Sequence, residues 1–295
     1  MDIERVGVVG GGLMGHGIAQ ITAQAGYEVV LREVDQKTLD KSLERIEKQL
    51  ARAVEKGKME QSAADEVRGR LNPTLDYGDF ADCGLVIEAI TEDLGLKTEM
   101  WRALDDVVKD DGAVLATNTS SLSVIDQAVA TKRPNRFIGL HFFNPPQIMP
   151  LLEVVRTVTT DDDAFDGGLS FGQKLGKTVV RCKDKTGFIV NRLLVPYMLD
   201  AIRAYEEGVG TVDQIDAAMK AGANHPMGPF TLLDFVGLDT TASIADIMFD
   251  EYREKRFAAP PTLRKLVSAG FYGKKSGRGF YDYSGEKPVA VEPGL

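Results

Sequence analysis

The stretch VVGGGLMGHGIAQ, residues 8–20, constrains the fold of this chain more than any other. An apolar run, RVGVVG (5–10), meets three consecutive glycines and a fourth three residues on, and IAQITAQAG then follows with helical spacing. Gly10, Gly12 and Gly15 spell G-x-G-x-x-G between a strand and a helix, the context in which that motif carries meaning. The first glycine permits a tight turn, the second lets the backbone approach a pyrophosphate, and the third lets helix and strand pack closely. Unpaired N–H groups at the helix start then face the phosphates. The next β-like run, YEVVLRE (27–33), ends on Glu33. A carboxylate there accepts both ribose hydroxyls of an adenosine and repels a 2′-phosphate, so the pattern favours NAD over NADP. Arg32 beside it pulls the other way. A purely structural glycine turn leaves the agreement of strand, glycines, helix and distal acid unexplained. FAD is a rival dinucleotide, and nothing else in the chain suggests a flavin site.

The alternation continues. LVIEAI (85–90), AVLATN (113–118), RFIGLHFF (136–143), LLEVVR (151–156) and TVVRC (178–182) read as strands, with helical spacing between most of them. Strand–helix alternation implies a mostly parallel sheet covered on both faces. After Lys185 strand-like runs vanish. GFIVNRLLVPYMLDAIRAYEEG, TVDQIDAAMKAG, PFTLLDFVGLDTTASIADIMFDEY and PPTLRKLVSAG read as helices, with Gly208 and Gly222 as stops and Pro229 near a start. The expectation is an α/β fold: a Rossmann-type, mostly parallel sheet over 1–185, then an all-α C-terminal domain over 186–295. The final GEKPVAVEPGL reads as a loosely held tail.

A chain of 295 residues suggests two domains. Its 43% hydrophobic and 27% charged residues are a globular composition, and no apolar run approaches the ~20 residues of a membrane span. MDIERVGVVG carries an acid before its apolar run and lacks a basic n-region, so it reads as a first strand rather than a signal peptide. The net charge of −9 argues against nonspecific binding to nucleic acid or an anionic membrane. Cys83 and Cys182 show no disulfide or metal spacing and read as buried thiols of a reducing, cytoplasmic setting.

Three histidines are present: His16 in the glycine-loop helix, His225 before Pro226, and His141 at the end of RFIGLHFF. Ligands of open α/β sheets bind outside the carboxyl ends of strands, which is where His141 falls. Glu153 interrupts the apolar run LLEVV. If buried it needs a partner, and His141 would serve, with the carboxylate fixing the imidazole tautomer and raising its basicity. The bland reading of Glu153 is a surface residue on an edge strand. TNTSSLS (117–123) positions a substrate or caps the next helix, and pattern alone favours the cap. Asn191 is either a satisfied core amide or a cleft residue. Glu92 and Lys97 read equally as a solvated helix start.

Lys37, Lys41, Arg45, Lys48, Arg52 and Lys56 recur every three or four residues, within ~100° of helical arc. Leu39, Leu43, Ile46 and Leu50 lie opposite. Glu44 and Glu55 among the bases favour a salt-bridged solvent face. The sharper reading is a dock for a multiply anionic ligand.

Taken together, the chain resembles the 3-hydroxyacyl-CoA dehydrogenases, especially the short-chain bacterial 3-hydroxybutyryl-CoA type. The resemblance rests on GGGLMG (10–15), EAITEDLGLK (88–97), NTSSL (118–122), GLHFFNPP (139–146), LLEVV (151–155), CKDKTGFIVNRLL (182–194), AMKAGANHPMGPFTLLDFVGLD (218–239) and GKKSGRGFY (273–281). It implies NAD-dependent oxidation of (S)-3-hydroxyacyl-CoA esters and the reverse reduction, without a metal, in a homodimer formed through the helical domain. It implies His141 as general base paired with Glu153, and Ser120 and Asn191 around the substrate's 3-oxygen. Gly10, Gly11, Gly12, Leu13, Met14, Gly15, Glu33, Glu92, Lys97, Ser120, Asn144 and Lys275 match positions around the cofactor, with Glu33 standing where Asp is commoner. Ser120 and Lys56 match positions near coenzyme A. The rival readings are an L-gulonate-type dehydrogenase without CoA, a crystallin-like protein that kept the fold, and a relative detached from a multifunctional β-oxidation enzyme.

Overall fold

Runs of valine, isoleucine and leucine build the sheet of the first of two units, Met1–Phe188, in a computed structural model that describes residues 3–293. The elements are β1 (Arg5–Val9), α1 (Gly15–Gln24), β2 (Glu28–Arg32), α2 (Gln36–Glu55), α3 (Gln61–Gly69), β3 (Leu71–Thr74), β4 (Leu85–Glu88), α4 (Leu94–Val107), β5 (Val114–Thr117), α5 (Val124–Ala128), β6 (Phe137–Phe142), β7 (Leu151–Arg156), α6 (Asp162–Lys174) and β8 (Thr178–Lys183). The strand order is β3-β2-β1-β4-β5-β6-β7-β8. Every neighbouring pair is parallel except β6 with β7. This is a Rossmann-type α/β sheet.

Alternation along each strand sends successive side chains to opposite faces. Val6, Val8, Leu31, Ile87 and Leu140 join one buried cluster. Val9, Val30, Val86, Leu115 and Phe137 join another, with Trp101 and Leu104 of α4. The strand order reverses at β1, and the crevice outside the carboxyl ends of β1 and β4 is the place where such sheets take ligands.

Strand β3 has no sequence signal. LNPT is not apolar and holds Pro73, which a ladder tolerates only on an edge strand, and β3 is the edge.

The second unit, Ile189–Leu295, contains α7 (Val190–Glu206), α8 (Val212–Ala223), α9 (Pro229–Val236), α10 (Leu238–Tyr252) and α11 (Pro261–Ser268). Three expectations change here. The long run 229–252 is two helices, because Gly237 at φ 104° breaks it in a region that side chains avoid. Helix α8 runs through Gly222 and stops at Asn224, which is left-handed. The tail is held rather than loose, and the unit is helical with one small hairpin. Strand β9 (Tyr281–Asp282) pairs antiparallel with β10 (Val289–Ala290), Val291 donates to the Phe280 carbonyl, and Tyr205 donates to the Pro293 carbonyl. Gly294 and Leu295 lie outside the described residues.

Two buried carboxylates organise this unit. Asp216 accepts the amides of Phe230 and Thr231 and the Tyr281 hydroxyl. Asp234 accepts the amides of Phe280 and Tyr281 and the Tyr283 hydroxyl. Burial pushes Asp234 up to about 6 against the pull of those donors. Among the described residues, no helix is long and apolar enough to cross a membrane.

Candidate active site

The glycine loop leaves β1 through Gly10, whose φ of 89° suits only glycine without strain. A Cβ on Gly15 would fall 1.6 Å from the Gly10 carbonyl oxygen, so this third glycine is required by the turn itself. A Cβ on Gly12 would meet nothing within 4 Å. The protein therefore leaves room above Gly12 that its own packing does not use. The amides of Gly12, Leu13 and Met14 have no acceptor among the described residues. Leu13 is 65% exposed at the loop tip.

Glu33 closes the other side of this loop. It is buried at the end of β2, and its Oε1 accepts the Gly11 amide at 2.6 Å. Its Oε2 accepts from the Val34 amide at 3.2 Å. Open space over a glycine, unpaired amides and an acid beyond β2 are the donor set and shape that a dinucleotide requires.

On the other side of β1 a charged network lies at the ends of β4 and β5. The Lys97 ammonium is buried and pairs with Glu88 at 2.8 Å and Glu92 at 2.8 Å. Glu88 also accepts the Thr117 hydroxyl at 2.6 Å and the Ile90 amide at 2.7 Å. Burial holds the Glu88 carboxyl above its ordinary range despite Lys97. Burial acts on Glu92 in the same sense, but there Lys97 and the Thr119 and Ser120 donors outweigh it and the carboxyl is held low. Glu92 accepts the Ser120 amide at 3.1 Å, so the loop after β5 hangs on this carboxylate. The Thr119 hydroxyl donates to it as well. The Asn118 side chain accepts the Phe142 amide at 2.9 Å, which joins that loop to the end of β6. Ser123 caps α5 through the Asp126 amide, so the serine-rich segment does serve as a cap.

His141 is 5% exposed and Glu153 is 1% exposed. They are direct cross-strand partners in the antiparallel register of β6 and β7, and Nδ1 of His141 lies 2.7 Å from Oε2 of Glu153. Strand β7 is interior, between β6 and β8, so Glu153 is no edge residue. A carboxylate acceptor puts the proton on Nδ1 and leaves Nε2 as the basic nitrogen. The rings of Phe143 and Phe188 flank the imidazole, with centroids 4.4 Å and 5.4 Å away. Asn144 is exposed just beyond, before a cis bond to Pro145.

The other named residues are spread more widely. Lys56 is the exposed C-cap of α2. The remaining bases of its stripe, Lys37, Lys41, Arg45, Lys48 and Arg52, are also exposed. None of the six forms an ion pair with a described residue, so the stripe is an exposed basic ridge, with Glu44 and Glu55 among its bases, and not a salt-bridged face. Asn191 lies half-buried in the first turn of α7, and Lys275 pairs with Asp239 at 2.6 Å, both in the second unit. Burial raises both thiols, Cys83 to about 12 and the half-buried Cys182 to about 11, the latter with help from Glu153 and Asp184. Glu88 went unnoticed in the sequence. Its signal was the one that marks Glu153, an acid inside an apolar strand, LVIE.

Comparison with known proteins supplies the family. Residues 5–185 match the 3-hydroxyacyl-CoA dehydrogenase NAD binding domain, and residues 187–283 match the 3-hydroxyacyl-CoA dehydrogenase C-terminal domain. A 3-hydroxybutyryl-CoA dehydrogenase of Mycobacterium tuberculosis is 51% identical over 282 residues, 95% of this chain and 99% of that protein. The crystal structure of M. tuberculosis FadB2 superposes with a TM-score of 0.94 at 50% identity, covering 96% of this chain and 100% of that one. That of (S)-3-hydroxybutyryl-CoA dehydrogenase PaaH1 from Ralstonia eutropha does so with a TM-score of 0.93 at 36% identity, covering 96% and 100%. With both domain families matched in order along nearly its whole length, the chain belongs to the 3-hydroxyacyl-CoA dehydrogenases, a family of NAD-dependent oxidoreductases.

Proposed function

We propose that this protein interconverts (S)-3-hydroxyacyl-CoA and 3-ketoacyl-CoA esters, with 3-hydroxybutyryl-CoA and acetoacetyl-CoA as its pair. The observation that carries the chemistry is the buried His141–Glu153 contact at 2.7 Å at the carboxyl end of β6. With Nδ1–H engaged by Glu153, Nε2 accepts the proton of the substrate's 3-hydroxyl. Bound NAD⁺ supplies the two-electron acceptor for the C3 hydrogen. Glu153 then stabilises the imidazolium that forms, and in the reverse direction the imidazolium returns the proton to the 3-keto oxygen. An imidazole suits this exchange because its ordinary pKa of ~6.5 lets it give and take a proton near neutrality.

Ser120 and Asn191 hold the 3-oxygen in this reading. Gly10 to Gly15 cradle the pyrophosphate, and Glu33 takes the adenosine ribose. Glu92, Lys97, Ser120, Asn144 and Lys275 surround the remainder of the cofactor. Lys56, with Ser120, meets coenzyme A, and the exposed basic ridge on α2 supports an anionic handle on the substrate. A homodimer formed through the second unit, working in the cytoplasm, completes the proposal.

The test is loss of NADH absorbance with acetoacetyl-CoA, beside NADPH and beside free acetoacetate. Fast turnover with NADH and the CoA ester alone is expected. Turnover of the free acid at a comparable rate would move the protein to the CoA-free dehydrogenases, and NADH binding without any turnover would point to a non-catalytic role.

A further inference from the structure

His16 is a buried histidine that the reaction does not use. It follows the third glycine of the loop and opens α1. In a regular first turn its own amide would bond the Gly12 carbonyl, but that contact is stretched to 3.5 Å. The side chain takes the place of the amide, with Nδ1 2.5 Å from the same oxygen. A carbonyl only accepts, so Nδ1 carries the proton and Nε2 is the acceptor. Nε2 lies 3.3 Å from the Gln49 amide nitrogen on α2, a donor that matches it. Burial lowers the pKa of His16, the Gly12 bond works against that, and Arg45 on α2 lowers it further. Both ring nitrogens are thus partnered in the Nδ1–H tautomer.

The consequence lies one atom group further on. The peptide between Gly12 and Leu13 is planar and trans, so its C=O and N–H point in opposite directions. A carbonyl tied down by His16 aims the Leu13 amide away from the helix. That amide has no acceptor among the described residues, and the space over Gly12 is open. We propose that His16 is a positioning residue of the cofactor loop: its Nδ1–H clamps the Gly12 carbonyl and so presents the Leu13 amide to the dinucleotide's pyrophosphate, with Gln49 setting the tautomer from α2. The inference rests on the dinucleotide reading of the loop.

Three variants and one spectrum test it. Calorimetric titration with NADH should show His16→Ala weakened about fivefold to tenfold, the scale of one hydrogen bond to a preorganised group. His16→Asn, whose side-chain amide donates to the same carbonyl, should restore most of the affinity. Gln49→Ala should give a smaller loss. KM for acetoacetyl-CoA should stay within about twofold of wild type throughout. In the ligand-free protein, the imidazole nitrogen shifts should place the proton of His16 on Nδ1. Wild-type NADH affinity in His16→Ala, no rescue by His16→Asn, or a proton on Nε2 would each overturn the clamp. If His16→Ala does not fold, His16→Asn, Gln49→Ala and the spectrum decide. Failure of the wild-type protein to bind NADH would instead remove the dinucleotide reading beneath it.

Discussion

The Glu33 carboxylate accepts the Gly11 amide at 2.6 Å, so the acid that ends β2 and the loop that ends β1 hold each other in place. Glu33→Ala therefore removes an anchor of the loop and, on the proposed function, an acceptor for the ribose as well. A buried amide left without its partner costs about 1–3 kcal/mol. We expect a lower Tm and NADH binding weakened at least about tenfold, the worth of about 1.4 kcal/mol. Glu33→Gln, which still accepts the Gly11 amide, should keep its Tm. Calorimetric titration and thermal melts separate the two roles, and unchanged NADH affinity in Glu33→Ala would take Glu33 out of the cofactor site.

The glycines of the loop should divide in the same experiments. A Cβ on Gly15 collides with the Gly10 carbonyl, whereas one on Gly12 touches no protein atom. Gly15→Ala should fail to fold or melt far below wild type. Gly12→Ala should melt as wild type does yet bind NADH poorly, because only a ligand uses that space. Equal loss of stability in both would mean that the room over Gly12 is incidental.

His141→Ala should lower kcat by roughly 10²–10⁴-fold, the range of a general base, with NADH affinity little changed. Glu153→Gln should lower kcat as well, since a neutral amide stabilises the imidazolium less than a carboxylate. Turnover near wild type in His141→Ala would end the assignment.

The ridge on α2 makes an electrostatic prediction. Replacing Lys48, Arg52 and Lys56 together with alanine should raise KM for acetoacetyl-CoA and flatten its dependence on ionic strength, because exposed charges act through screened fields. If both stay unchanged, the ridge plays no part in binding the substrate.

Asp234 gives a pH test with a definite sign. Its carboxyl is raised from 3.8 to about 6 in the folded protein by burial. The fold therefore binds this proton more readily than the unfolded chain does. That contribution to stability is complete below about pH 4 and is lost as pH rises through 6. It amounts to about 2–3 kcal/mol across that window. Denaturant unfolding from pH 4 to 7 should show wild type losing ground to Asp234→Asn by that amount. A constant gap between the two would mean that the donors from Phe280, Tyr281 and Tyr283 cancel the cost of burial.

Much of the fold is written in local patterns. The β-branched runs mark every strand of the large sheet except β3, whose LNPT sequence offers only Leu71 to the core because an exposed edge requires little more. The direction of β7 is invisible in its own residues. Only the brevity of residues 143–150 betrays it, since a parallel crossover requires a dozen or more residues. His141 could be found because a lone imidazole at a strand end is rare chemistry in a known place. Glu88 carries the signal of Glu153, an acid inside an apolar strand, but is harder to read because its partner Lys97 looks like a solvated helix residue until α4 folds it back over β4. The tail hides its fixation for the same reason: Val289 and Ala290 acquire a partner only when Tyr281 and Asp282 are brought beside them.

The hairpin of β6 and β7 has a consequence for how this chain tolerates changes in length. His141 and Glu153 share a face only because their strands keep one register. A codon inserted or deleted between 146 and 150, beyond Phe143 and Asn144, lengthens or shortens a connection and leaves the pairing free to re-form. The same change within β7 ahead of Glu153 slides that residue by one position, and alternation then turns the carboxylate to the opposite face of the sheet, away from the imidazole. Loss of activity on single-codon indels should therefore rise abruptly at residue 151, where the strand begins.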